Sequence, residues 1–186
     1  MSGKKNRHIF CYITCAMRKT LFVICLMLAL FSCTKEDREI LLVNQEESID
    51  RYISSLKDVR VARNGGSNRL VYMEGKGVDS LAMGDSVRFY YAGYIFSNGK
   101  GKLFATNDTT VAVKNKFELS GGVEQKKLSS GDILVGLANG LVGAKAGEKC
   151  DIVFSAKYGY NNEMVYNVPK MSPLIFEVWV EGIVKN

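Results

Sequence analysis

Reactive side chains are scarce in this 186-residue chain, and their positions limit its chemistry. The only histidine is His8, so everything past residue 32 lacks an imidazole. That removes Ser-His-Asp and Cys-His hydrolases and histidine-containing metal sites. Of the cysteines at 11, 15, 25, 33 and 150, only Cys33 and Cys150 fall beyond residue 32. Two cysteines build neither a zinc site nor a disulfide framework. Gly140 to Lys145 lacks the spacing and the Ser/Thr of a phosphate loop. Leu134, Leu137, Ala138 and Leu141 recur with helical spacing, which puts one apolar face on a short helix. Gly136, Gly140 and Gly143 interrupt it, each weakening a helix by about 1 kcal/mol relative to Ala. Such a helix is tolerated where something passes close to it. The pattern predicts a short helix against a sheet, with a turn at Gly147 returning the chain into a strand. A loop-rich core segment without functional meaning is the plain alternative.

The elements around that helix read mostly as strands. Leu70–Met73, Ser86–Phe96 and Cys150–Ser155 are apolar or alternating runs bounded by turn residues, with Gly84-Asp85 and Ser97-Asn98-Gly99-Lys100 as turns. Leu174–Val180 alternates, with Leu174, Phe176, Val178 and Val180 on one face. Thr110–Val113 and Phe117–Leu119 are weaker strand candidates. The sum is an α+β domain of antiparallel strands with one short helix.

Residues 1–32 carry five of the 25 basic residues and none of the 19 acidic ones, so the remainder is nearly neutral. Nucleic acid is not an expected partner. Met17-Arg18-Lys19 followed by the apolar run Leu21–Phe31 has the form of a secretory signal, too short for a membrane span. Met17 is the start that this pattern implies. Leu30-Phe31-Ser32-Cys33 resembles a bacterial lipobox, which would make Cys33 a lipid attachment point and the membrane a partner; a cleaved signal or an uncleaved anchor is the alternative. Lys35-Glu36-Asp37 resembles the surface-export tags of Bacteroidetes lipoproteins; it also reads as a solvated tether. Ile49, Tyr52, Ile53 and Leu56 predict a short amphipathic helix, with Asn44 and Glu47 as its cap. Arg63–Asn68 reads as a flexible break. The expected organisation is therefore a signal peptide at 1–32, a lipid-anchored tether at 33–68 and a folded domain at 69–186.

Within that domain the motifs resemble the FKBP-type peptidyl-prolyl isomerase family. Gly84-Asp85-Ser86-Val87 resembles the turn into its first long strand. Phe89-Tyr90-Tyr91-Ala92-Gly93-Tyr94 is similar to its Val-His-Tyr-Thr-Gly strand. Asn98-Gly99 followed by Phe104 resembles the turn before its Phe-Asp pair. Ile133-Leu134-Val135-Gly136-Leu137 is similar to Val-Ile-x-Gly-Trp, and Lys145–Lys149 to the Val-Gly-x-Lys turn. Ser155–Tyr160 resembles Pro-x-x-Tyr-Ala-Tyr-Gly, and Val168-Pro169 with Pro173–Val178 the closing loop and strand.

The resemblance implies an antiparallel half-barrel sheet wrapped around one short helix. It also implies a substrate groove between helix and sheet, lined by Tyr91, Phe104, Phe117, Ile133, Leu134, Leu137, Tyr160 and Phe176. Each of these could instead be ordinary core. The implied partners are proline-containing polypeptides, and the reaction requires no cofactor or metal. Two departures bear on turnover. Ala105 stands where the family has an acid, and Leu137 where it has a tryptophan. The expected function is a lipid-anchored prolyl isomerase of the cell envelope, at the outer membrane and facing the periplasm or the exterior. The alternative is a peptide-binding or chaperone module with little turnover.

Overall fold

The long strands β3 (Ser86–Phe96) and β7 (Leu174–Val184) pair antiparallel from Ser86 opposite Val184 to Ile95 opposite Leu174. They form the spine of the computed structural model, which describes residues 35–118, 122–129 and 131–186. Around them lie β1 (Arg60–Asn64), β2 (Ser67–Met73), β4 (Lys100–Thr106), β5 (Glu124–Lys127) and β6 (Lys149–Phe154). The strand order is β1-β2-β6-β7-β3-β4, and β5 pairs with the first half of β3. All pairings are antiparallel. The helices are α1 over residues 35–55, α2 (Thr109–Asn115) and α3 (Val135–Leu141). The α+β class expected from the sequence is the observed one, an open antiparallel sheet with α3 against one face.

α3 lies directly on β6. A Cβ at Gly136 would come within 2.4 Å of the Phe154 ring, and one at Gly140 within 2.2 Å of Ile152. The two glycines therefore let the helix approach closely enough to bury Leu137, Ala138 and Leu141 on that face. Each fully buried leucine contributes about 1.5–3 kcal/mol, which offsets the glycines' low helix propensity. Phe89, Ile152, Phe154, Phe176 and Val178 complete this core.

A second core occupies the opposite face of the sheet. Ile49 and Ile53 of α1 pack with Leu70, Phe96, Val153 and Ile175. This explains why Ile175, on the far face of β7 from Phe176, is also fully buried.

Four expectations need correction. Arg63–Asn68 is a tight hairpin, with Asn64 opposite Ser67 and both Gly65 and Gly66 at positive φ. Asn64 and Asn139 pin it to α3, each donating its side-chain amide to the other segment's backbone. The compact unit accordingly begins at Leu42, well before a boundary at 68; residues 35–41 are helical and fall in the preceding unit. Asn44 lies inside α1 and does not cap it, because residues 35–43 contain neither Gly nor Pro and continue the helix. Thr110–Val113 is helical: Asp108 accepts from the Val111 N–H, and that cap outweighs the β-branched composition. Phe117 and Glu118 lie outside any strand, and Leu119 is outside the described residues.

Residues 1–34, including the apolar run and Cys33, are also outside the described residues. Among the described residues no helix is long and apolar enough to cross a membrane.

Candidate functional site

Between α3 and the sheet lies an open cavity of about 260 Å³. Its buried base is aromatic and aliphatic: Phe89 from β3, Phe104 from β4, Leu137 from α3 and Phe176 from β7. Its half-buried walls are Tyr91, Ala105, Ile133, Leu134 and Tyr160. Seven of the eight residues expected at a groove are thus brought to one cavity. Phe117 is not among the lining residues. It follows Lys116, the left-handed C-cap of α2, and its N–H bonds back to Ala112. That helix end takes it out of the strand register that the sequence suggested.

Residues of β5 stand at the cavity instead. Glu124 and Lys126 line it, and Leu128 just beyond them is fully buried. The period of two was the available signal, since Leu128 marks the inward face. Asp132 adds a second carboxylate at the exposed edge.

The rings form a connected chain. Phe104 and Phe176 meet edge-on at 5.6 Å, Phe104 and Tyr160 at 6.2 Å, and Tyr91 tilts against Phe176 at 6.1 Å. Such pairs contribute about 0.5–1.5 kcal/mol each beyond burial. Gly93 makes room for the central pair, since a Cβ there would sit 2.8 Å from both Phe104 and Phe176.

Tyr91 is held at both ends. Its backbone N–H donates to Asn107 Oδ1 at 2.6 Å, and its carbonyl accepts from Thr106 Oγ1 at 2.7 Å. Asn107, almost fully buried, also donates to the carbonyls of Phe89 and Gly122. It thereby ties β3 to the chain leading into β5, a role that nothing in the sequence pattern signalled. The Tyr91 hydroxyl donates to Glu124 Oε1 at 3.3 Å. Burial first, and then the Glu124 carboxylate, push that hydroxyl up to about 12. Burial also raises Tyr160 above its ordinary value. Both phenols therefore stay protonated at neutral pH, as donors. On the other side of the cavity, Ser67 Oγ donates to the Gly136 carbonyl at 2.6 Å and fixes the first turn of α3.

Among the described residues, no Ser, Thr or Cys lines this cavity. Cys150 is buried in β6, and burial raises its thiol well above the usual range. The arrangement can take a small apolar ring against its aromatic base and offer the Tyr160 hydroxyl as a donor at its wall.

Comparison with known proteins agrees with this geometry. The family model "FKBP-type peptidyl-prolyl cis-trans isomerase" matches residues 78–181, more than half of the chain. FK506-binding protein 2 of Podospora anserina is 30% identical over 105 residues, covering 55% of this chain and 50% of the relative. The chain thus spans half the length of that protein. FK506-binding protein 1 of Aspergillus oryzae is 28% identical over 119 residues, covering 61% of this chain and 94% of the relative. A peptidyl-prolyl cis-trans isomerase from Pseudomonas syringae pv. tomato shares the fold, with a TM-score of 0.59 at 18% identity over 79% of this chain and 96% of that one. The chain therefore belongs to the FKBP-type peptidyl-prolyl cis-trans isomerase family.

Proposed function

We propose that this protein catalyses cis-trans isomerisation of Xaa-Pro bonds in envelope or secreted polypeptides, and that lipid at Cys33 holds it at the outer membrane of a bacterium. The observation that carries the catalytic reading is the open cavity with an aromatic base between α3 and the sheet, with the Tyr91 hydroxyl held at its wall. The amide barrier is about 18–20 kcal/mol and comes from resonance. Catalysis requires tighter binding of the twisted amide than of either planar form. Twisting reduces the charge separation that water stabilises, so a site that strips water from the amide favours the twisted state. In this reading Phe104, Phe176 and Leu137 receive the pyrrolidine ring. Ile133 and Leu134 cover it, and the Tyr160 hydroxyl holds the flanking peptide.

The anchor rests on the sequence of residues 17–33 alone, and the resemblance to Bacteroidetes lipoproteins on Lys35-Glu36-Asp37. A second reading is favoured by Leu137 at the base and Ala105 at the wall, which leave the cavity without an indole and without an acid at that position. It is a peptide-binding or chaperone module with little turnover. Exchange spectroscopy on a proline peptide separates the two. Accelerated cis-trans exchange supports the enzyme; binding without acceleration supports the module.

A further inference from the structure

We propose that Gln45, on α1 and outside the cavity, is a positioning residue that fixes the rim segment carrying Tyr160 and so sets affinity for peptide. The inference rests on the peptide-binding reading of the cavity. Gln45 is 7% exposed. Its Nε2 donates to the Met171 carbonyl at 2.7 Å, and its Oε1 accepts from the Ala156 N–H at 2.9 Å. Ala156 and Met171 are the two ends of one segment, and Tyr160 lies between them. A single amide thus closes the base of the loop from the helix on the other face of the sheet.

Two backbone bonds continue the clasp inside the segment. Asn161 N–H donates to the Ala156 carbonyl, and Met171 N–H donates to the Asn161 carbonyl. The segment also holds Asn161, Tyr166 and Met171 at positive φ, a conformation that L side chains adopt at a cost. A loop in such a conformation persists only while its surroundings hold it. Ala156 is fully buried, so its N–H has no recourse to water when Gln45 is removed. An amide fits here because it presents one donor and one acceptor together; a carboxylate would face the Met171 carbonyl with like partial charge. Ile49 and Ile53 hold α1 on the sheet independently of Gln45. The helix therefore stays docked when only the clasp is lost.

The test uses the full-length protein and Gln45→Met, which keeps the volume and removes both hydrogen bonds. Native-state trypsin cleavage is followed at Lys157 and Lys170, which flank Tyr160, and at Lys126 and Lys127 in β5 as controls. Affinity is measured by titration with a proline peptide. Cleavage at Lys157 or Lys170 is expected to rise about tenfold with the β5 sites unchanged, and peptide affinity to fall severalfold with kcat nearly constant. Cleavage that does not rise at the rim, or rises equally in β5, overturns the proposal, as does selective rim cleavage with unchanged affinity. If the wild-type protein binds no proline peptide, the functional reading above fails, and the effect on affinity proposed for Gln45 fails with it. The cleavage pattern alone still decides whether Gln45 holds the loop.

Discussion

The hydroxyl of Tyr91 on β3 donates to the carboxylate of Glu124 on β5, 3.3 Å away across the cavity wall. Ala105, which follows Phe104 and stands where the resemblance implies an acid, itself lines the cavity. The carboxylate that accepts from Tyr91 thus comes from β5 and not from β4.

Moving that carboxylate tests the relationship. Glu124→Ala is expected to lower kcat/KM about tenfold, equivalent to about 1.4 kcal/mol. Ala105 pairs with Gly93, two residues along β3 from Tyr91, so an aspartate at 105 can reach the same hydroxyl. Adding Ala105→Asp to Glu124→Ala should restore most of the loss. Steady-state kinetics on both variants check this, and a double variant no better than Glu124→Ala would show that the acceptor is irrelevant.

Alkaline pH gives an independent check. Tyr91 has a folded pKa of about 12 against about 10 for an ordinary phenol. Its stabilising contribution is complete below about pH 10 and is lost as pH rises toward 12, because the unfolded chain releases the proton first. Burial also raises Tyr52, Tyr94 and Tyr160, so the informative quantity is a difference. Unfolding free energy measured from pH 8 to 12 should fall less steeply in Tyr91→Phe than in the wild type.

How much was legible in the sequence depended on where the physical signal was local. β3, β7 and α3 were readable because their apolar periods match the faces they bury. Gly136 and Gly140 were readable as a place of close approach, and the Phe154 and Ile152 side chains are what approaches. The hairpin at Gly65-Gly66 was not, because the same dipeptide serves a loose linker and a tight turn. Only its contacts with Asn139 and Tyr158 decide between them. Glu124 lies in the wholly polar run Glu124–Lys127, where only Leu128 just beyond it marks the inward face. The Schellman-type end of α2 is local but has Lys116, not a glycine, at its left-handed position, and the register of β5 against β3 is a tertiary outcome.

The hairpin and α1 bear on where the folded unit starts. A fragment of residues 65–186 loses β1 and the buried Ile49 and Ile53. Those two side chains alone contribute about 1.5–3 kcal/mol each. Against a total of about 5–15 kcal/mol, this is a large share. Denaturant titration should find the fragment far less stable than residues 42–186; equal midpoints would mean that α1 does not contribute to the core.

For the anchor, metabolic labelling with a fatty-acid probe should mark the protein, and Cys33→Ala should abolish the label. Label that persists in the variant would remove Cys33 as the attachment point.

Catalysis in the cavity is tested most directly by NMR exchange on a short Xaa-Pro peptide, with wild-type protein and with Ala105→Trp. Ala105 faces the cavity and is only half-buried, so the indole fills the space that the pyrrolidine ring would take while the core stays packed. The expected result is cis-trans exchange much faster than the uncatalysed timescale of about tens to hundreds of seconds with wild-type protein, returning to that timescale with Ala105→Trp. Exchange that stays at the uncatalysed rate with wild-type protein, or acceleration that survives a filled cavity, would contradict it.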